Sequence, residues 1–230
     1  MPQALKEYSY MLSRLERKWI ERFPYLDGSA WVMGPLEVAN FIVGPERLFV
    51  AFYDCPQVVH RLLTRVTEGL IEWLKALGAV CGELKLICMV EHTPGQISAN
   101  HTEEFFLPYA REIFENFPKA IHLYHNEDHL QHAMHLLPKL GAQIWHCGPW
   151  DLQAMRSSVG PEMILMGNIH PLKTLLEGKV QEVEEACRAS LEIGRDIGGF
   201  LLSSGGGMAP GTPISNVEAM IRIGVSFLKP

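Results

Sequence analysis

Short apolar segments alternate with longer amphipathic ones along this chain, and that alternation restricts it to βαβ units with parallel strands. A parallel pair cannot be closed by a tight turn. It needs a crossover of a dozen or more residues, which the amphipathic stretches supply. Strands read at about 30–36, 84–91, 120–124, 142–147, 163–167 and 199–203. Helices read at about 3–22, 37–43, 56–77, 102–116, 127–137, 150–158, 178–195 and 213–223. The helix at 56–77 carries Val58, Leu62, Leu63, Val66, Leu70, Ile71 and Leu74 as its core stripe, and Gly78 ends it. Six strands suit an open doubly wound sheet, whereas a closed eight-stranded barrel needs two more. In either fold the loops at the carboxyl ends of strands build the site. Here the loops at 91–101, 122–129, 145–151, 167–171 and 203–213 hold most of the histidines, glycines and prolines.

Composition narrows the class. At 230 residues and 47% hydrophobic, the chain reads as one domain, 1–230. No apolar run approaches the ~18 residues of a membrane span. The N-terminus has no signal-peptide core, so a soluble cytoplasmic protein is expected. Net charge is −6 and the basic residues do not cluster, which speaks against a nucleic-acid partner. Five widely spaced cysteines without a CxxC read as free thiols. Nine of the ten histidines lie between His92 and His170, so that half is the place to look for chemistry.

His122 and Tyr124 are two apart on a strand and share a face. If that face is inward they form a metal ligand or an acid–base pair. The plainer alternative is a histidine hydrogen-bonded in a polar core. Glu91 and His92 end the preceding strand. Glu91 and His122 on neighbouring strands could hold one divalent ion, with His125, His146 or Cys147 completing the set. His129, His132 and His135, three apart, read as one solvated helix face. His170 before Pro171 reads as a capping residue, His101 as exposed and His60 as structural. Trp145 and Trp150 flank Cys147 and either wall a pocket or belong to the core. The tail strand runs into Ser203-Ser-Gly-Gly-Gly207, a loop that can approach a ligand closely and offer backbone N–H groups to an anion.

Six segments occur in an order that resembles the uroporphyrinogen decarboxylase superfamily, which includes zinc-dependent methyltransferases acting on methylated corrinoids. They are Met33-Gly-Pro-Leu36, Glu91-His-Thr-Pro-Gly-Gln-Ile-Ser98, Phe106-Leu-Pro-Tyr109, His122-Leu-Tyr-His-Asn126, Leu165-Met-Gly-Asn-Ile-His-Pro171 and the tail from Ser203 to Met220. The resemblance implies a (β/α)8 TIM-barrel type of fold, incomplete here at about six parallel strands. It makes Ser204, Gly205, Gly206, Gly207 and Asn168 ligand-facing. Family members are usually longer at the N-terminus, where the decarboxylases keep substrate-binding arginines. Phe41 stands where the decarboxylases have a tyrosine, and Gly206 where they have a histidine. The methyltransferases hold zinc with His-x-Cys on a strand and a cysteine in the tail loop. This chain has His122-Leu-Tyr124 and again Gly206 at the matching places, so His122 alone remains.

The resemblance thus implies a methyltransferase moving a methyl group between a corrinoid or methylated small molecule and an acceptor. The expected metal is zinc, and the corrinoid is a substrate or comes with a partner protein. A decarboxylase-like lyase, with His92, His122 or Tyr124 as proton donor, is one alternative. A non-catalytic protein that binds a tetrapyrrole, a corrinoid or a partner chain is another. Six strands leave two sheet edges open, which implies a homodimer or a complex with another subunit.

Overall fold

The computed structural model describes residues 2–22 and 28–227. Six strands stand in one sheet in chain order, β1 Ser29–Met33, β2 Leu86–Val90, β3 Ile121–Asn126, β4 Ile144–Cys147, β5 Ile164–Ile169 and β6 Phe200–Ser204. Helices alternate with them. This is the (β/α)8 type of arrangement, with six strands where the closed barrel has eight. No helix among the described residues is long and apolar enough to cross a membrane. Internal contacts divide the chain into two compact units.

The first unit comprises residues 1–124 and 139–142. It begins with α1 Gln3–Arg14 and α2 Arg17–Arg22, where the sequence suggests a single helix. β1 pairs in parallel with β2, Trp31 opposite Cys88 and Met33 opposite Val90. Gly44, at φ 86°, ends α3 Pro35–Val43 and starts α4 Pro45–Asp54, a helix the periodicity does not reveal. Proline at the first position opens each of them, where its missing N–H costs nothing. α5 Pro56–Cys81 buries Val59, Leu63, Val66, Ile71, Leu74 and Leu77, while Val58 of the expected stripe is exposed. After β2, Ala99–His101 forms α6, Thr102–Phe106 widens into a π segment, and Leu107–Glu115 continues as α7. Phe105, Phe106, Ile113 and Phe114 from this run are buried.

The second unit comprises residues 125–138 and 143–230. β4, β5 and β6 are parallel, with His146 opposite Met166, Met166 opposite Leu201 and Asn168 opposite Ser203. Residues level with one another in a parallel sheet point to one side. His146, Met166, Asn168 and Ser203 therefore share a face, and Trp145, Cys147 and Gly167 lie on the other. α8 Leu152–Val159 is capped by Asp151, whose carboxylate accepts from Ala154 N–H at 2.7 Å. α9 Val180–Ile197 and α10 Ile214–Phe227 close an apolar cluster of Ile169, Leu175, Val183, Cys187, Ala219 and Ile223. The Arg156 guanidinium donates to the carbonyls of Gly160, Met163, Gly198 and Gly199 and so ties the loops ahead of β5 and β6.

The helix expected at 127–137 does not form. Asn126 Oδ1 accepts from Asp128 N–H at 2.9 Å and Asp128 Oδ1 from His129 N–H at 2.8 Å. Such local bonds offer the backbone an alternative to the helical ladder. A 3-10 helix, Met134–Lys139, follows and contains Pro138. His129, His132 and His135 therefore do not line one helix face, and His129 instead packs on Trp150 with ring centroids 4.8 Å apart.

Candidate functional site

In the first unit, the expected pair His122 and Tyr124 does share a strand face, but it is the face covered by the π segment and α7. The His122 ring lies flat on Phe114, centroids 4.5 Å apart and planes within 13°. Its Nε2 meets Phe117 O at 2.9 Å and its Nδ1 meets Gly141 O at 3.3 Å. Tyr124 is fully buried beside Phe106 and donates to Glu91 O at 3.1 Å. His122, expected as a catalytic residue and metal ligand, thus packs as a core histidine with both ring nitrogens against backbone carbonyls. Tyr124 is likewise a packing residue.

Glu91, expected as a catalytic residue and metal ligand, is bonded into the loops of this unit. Its carboxyl is fully buried and accepts from Glu37 N–H at 2.9 Å and Thr93 N–H at 3.2 Å. Glu37 reaches back to His92 N–H and to the Thr93 hydroxyl, each at 3.1 Å. The two carboxyls thus lace the loop after β1 to the loop after β2. Burial pushes the Glu91 pKa up to about 8, with Glu37 nearby raising it and the backbone donor lowering it. Only glycine fits at Gly34, since a methyl group there would lie 2.6 Å from Glu91 Oε2. His92 stands at the end of β2, half-buried, and caps the 3-10 turn Thr93–Gly95.

The second unit gathers a different set. β3 runs two residues past the expected end, to Asn126, and carries His125 and then Glu127 out of the strand. His125 Nε2 meets Glu127 Oε2 at 2.6 Å. His125 Nδ1 meets His146 Nδ1 at 2.8 Å, and His146 Nε2 meets Ser204 O at 2.9 Å. Burial holds the His146 ring below the usual imidazole range. His125 and Glu127 bond to each other in the 2.6 Å contact, and a histidine and a carboxylate are also two of the donor types that zinc accepts. Within this unit they supply an N,O donor pair.

Cys147, expected as a ligand, lies on the opposite face of β4. It is fully buried, donates to Met166 O at 3.2 Å, and has its thiol pushed up to about 12 by burial. Both features favour the thiol over the thiolate at Cys147.

The glycine loop meets the strand ends closely. The Ser204 hydroxyl donates to Gly206 O at 2.6 Å. Gly205 N–H donates to Ile169 O at 2.7 Å, so this amide is used inside the fold and not offered to an anion. A methyl group at Gly205 would lie 2.8 Å from Pro149 N, whereas Gly207 faces open space. Asn168 Nδ2 donates to Trp150 O at 2.8 Å, and its Oδ1 is a buried acceptor without a hydrogen bond. His170 caps the segment Pro171–Leu176 as expected, accepting from Leu172 and Lys173 N–H. His60 is structural, bonded to Tyr109 and Glu104, and His101 packs among Phe52, Tyr53 and Phe105, half-buried.

Sequence reasoning missed Glu127 altogether and named His146 only as an auxiliary. The available signal was period 2: His125 and Glu127 alternate like strand residues, and two further strand positions bring both to its end.

Known proteins share this architecture. The family model described as uroporphyrinogen decarboxylase (URO-D) matches residues 13–225. A uroporphyrinogen decarboxylase of Anaeromyxobacter sp. (strain Fw109-5) is 26% identical, over 96% of this chain and 64% of its own length. The methylcobamide:CoM methyltransferase MtbA of Methanosarcina acetivorans is 24% identical, over 93% of this chain and 61% of its own. A solved methyltransferase structure from Methanosarcina mazei superposes with a TM-score of 0.82 at 18% identity, covering 98% of this chain and 64% of that one. The chain therefore spans less than two-thirds of the length of these three proteins.

Proposed function

Because the chain belongs to the uroporphyrinogen decarboxylase family, we propose that it is a methyltransferase of that family, with a divalent metal ion held by His125 and Glu127. It would move a methyl group between a corrinoid or another methylated small molecule and an acceptor. The observation that carries the reading is the run of contacts from Ser204 O through His146 and His125 to Glu127. It presents an imidazole nitrogen and a carboxylate oxygen to the same point, with the imidazole held from behind. Likeness to a methyltransferase named for methylcobamide and CoM supports the same side of the family.

The donor pair fits zinc or a similar first-row ion, and sulfur is not part of it. Such an ion, when bound, supplies positive charge that lowers the pKa of an acceptor such as a thiol. The protein's own groups do the rest. Glu127 adds a negative charge that favours a cation beside His125. His146 and Ser204 hold the ring of His125. Gly207 leaves open space on the tail loop for a ligand to approach.

The test is metal content by plasma mass spectrometry in the wild type, His125→Ala, Glu127→Ala and, as a control, His122→Ala. The expected result is about one ion per chain in the wild type and control, and loss in the other two. A metal-free wild type would remove the mechanism. CO2 release from a carboxylated porphyrinogen would then favour the lyase, a reading that the decarboxylase-named relatives keep in play. Binding of a tetrapyrrole without turnover would favour a binding protein.

The proposal includes a second subunit. Among the described residues β1 is paired on one side only, and its Trp31 and Met33 are about half exposed. A strictly monomeric mass by light scattering would count against it.

A further inference from the structure

We infer that His146 is a positioning residue whose hydrogen bond to the Ser204 carbonyl determines which nitrogen His125 offers to a metal; this rests on the metal reading above. A carbonyl oxygen can only accept, so the 2.9 Å contact between His146 Nε2 and Ser204 O places a proton on Nε2. The 2.8 Å contact between His146 Nδ1 and His125 Nδ1 has room for one proton. With that proton on His125 Nδ1, His125 Nε2 can offer a lone pair once it carries no hydrogen of its own. It points at Glu127 Oε2, 2.6 Å away. Two acceptors at that distance repel unless a proton lies between them, and a metal ion would have to displace that proton. With the proton on His146 instead, His146 is a cation and His125 Nδ1 accepts from it, so the one hydrogen of a neutral His125 sits on Nε2 and no lone pair is left for a metal. The metal-binding form is therefore the one in which His146 accepts from His125.

The surroundings hold His146 in that role. The carbonyl it donates to belongs to Ser204, whose hydroxyl is bonded to Gly206 O at 2.6 Å, and the next amide, Gly205 N–H, to Ile169 O at 2.7 Å. The loop therefore cannot turn the carbonyl away without breaking both. Partners that orient a ligating histidine in this manner typically matter 10–100-fold in metal affinity. The feature is invisible in the sequence, where the three residues are far apart.

Zinc affinity, measured by competition with a chromophoric chelator, tests the inference in the wild type, His125→Ala, His146→Ala and His146→Gln. The expected result is complete loss in His125→Ala and weakening of about 10–100-fold in His146→Ala. Glutamine has one donor for Ser204 and one acceptor for His125, so His146→Gln should recover most of the affinity. Wild-type affinity in His146→Ala, alongside loss in His125→Ala, would overturn the role of His146 and leave the metal site standing. Equal losses in the alanine and glutamine variants, with matching drops in melting temperature, would mean that His146 only supports the fold. Should the wild type bind no zinc, or His146→Ala fail to fold, nitrogen-15 spectra of the imidazoles decide. A proton on His146 Nε2 and none on its Nδ1 is expected, and the reverse tautomer would overturn the inference.

Discussion

Gly206 lies directly against the side chain of Glu127: a methyl group at position 206 would sit 2.8 Å from Glu127 Cγ and 3.1 Å from Cδ. The resemblance puts a cysteine of the zinc methyltransferases at this tail-loop position. Here the Glu127 carboxylate from the strand end stands beside it, and under the proposed reading it would supply oxygen where those proteins have sulfur. The strand segment that faces the tail loop is thus His125-Asn-Glu127, three residues later than the segment starting at His122. Gly206 is at φ 104°, where side chains are strained in any case. Gly206→Ala should cost roughly 1–3 kcal/mol in urea denaturation and should displace Glu127, weakening metal binding. Unchanged stability and affinity together would show that the loop yields freely.

A donor set without sulfur makes a spectroscopic prediction. The cobalt(II)-loaded protein should show ligand-field bands from nitrogen and oxygen donors and no thiolate-to-cobalt charge transfer. Cys147 is the nearest thiol in sequence, and its burial and raised pKa keep it protonated. A sulfur charge-transfer band that disappears in Cys147→Ser would contradict this arrangement.

His122 and His125 differ in what their removal should do under the proposed reading. His122→Ala removes the ring stacked on Phe114 and one of the two bonds to the Phe117 carbonyl, which keeps Ala120 N–H. It should lower stability by about 2–4 kcal/mol and leave the metal content unchanged. His125→Ala should do the reverse, with little effect on stability and loss of the ion. Comparing denaturation midpoints with metal content in the two variants decides the matter.

Glu91 makes stability depend on pH. Its folded pKa of about 8 lies above the ordinary carboxyl value of 4.5. Between those values the folded chain binds a proton that the unfolded chain has released, so stability falls as pH rises through this window and levels off above it. Glu91→Gln mimics the protonated carboxyl. It should resemble the wild type near pH 5 and exceed it near pH 8, by on the order of 3 kcal/mol. The check is urea denaturation at both values. Parallel curves for the two proteins would mean that the Glu91 carboxyl is not the group that titrates.

The sequence by itself determined the family and the parallel βαβ plan. Helical and strand periodicities are local and survive in a linear reading, and the ordered segments from Met33 to Met220 carry the resemblance. It also located the tail loop and the capping role of His170, because glycine and proline act on their own backbone. Tertiary structure alone decided which histidines meet: His125 contacts His146, whereas His122 packs on Phe114. Alternation placed His122 and Tyr124 on one face but could not say that this face packs against the π segment and α7. Local Asn126 and Asp128 bonds replaced an expected helix and carried Glu127 to the strand end. The network of Glu127, His125, His146 and Ser204 joins residues up to 77 positions apart. Such a contact is made by the register of neighbouring strands, which depends on hydrogen bonds across the sheet and has no signature along the chain.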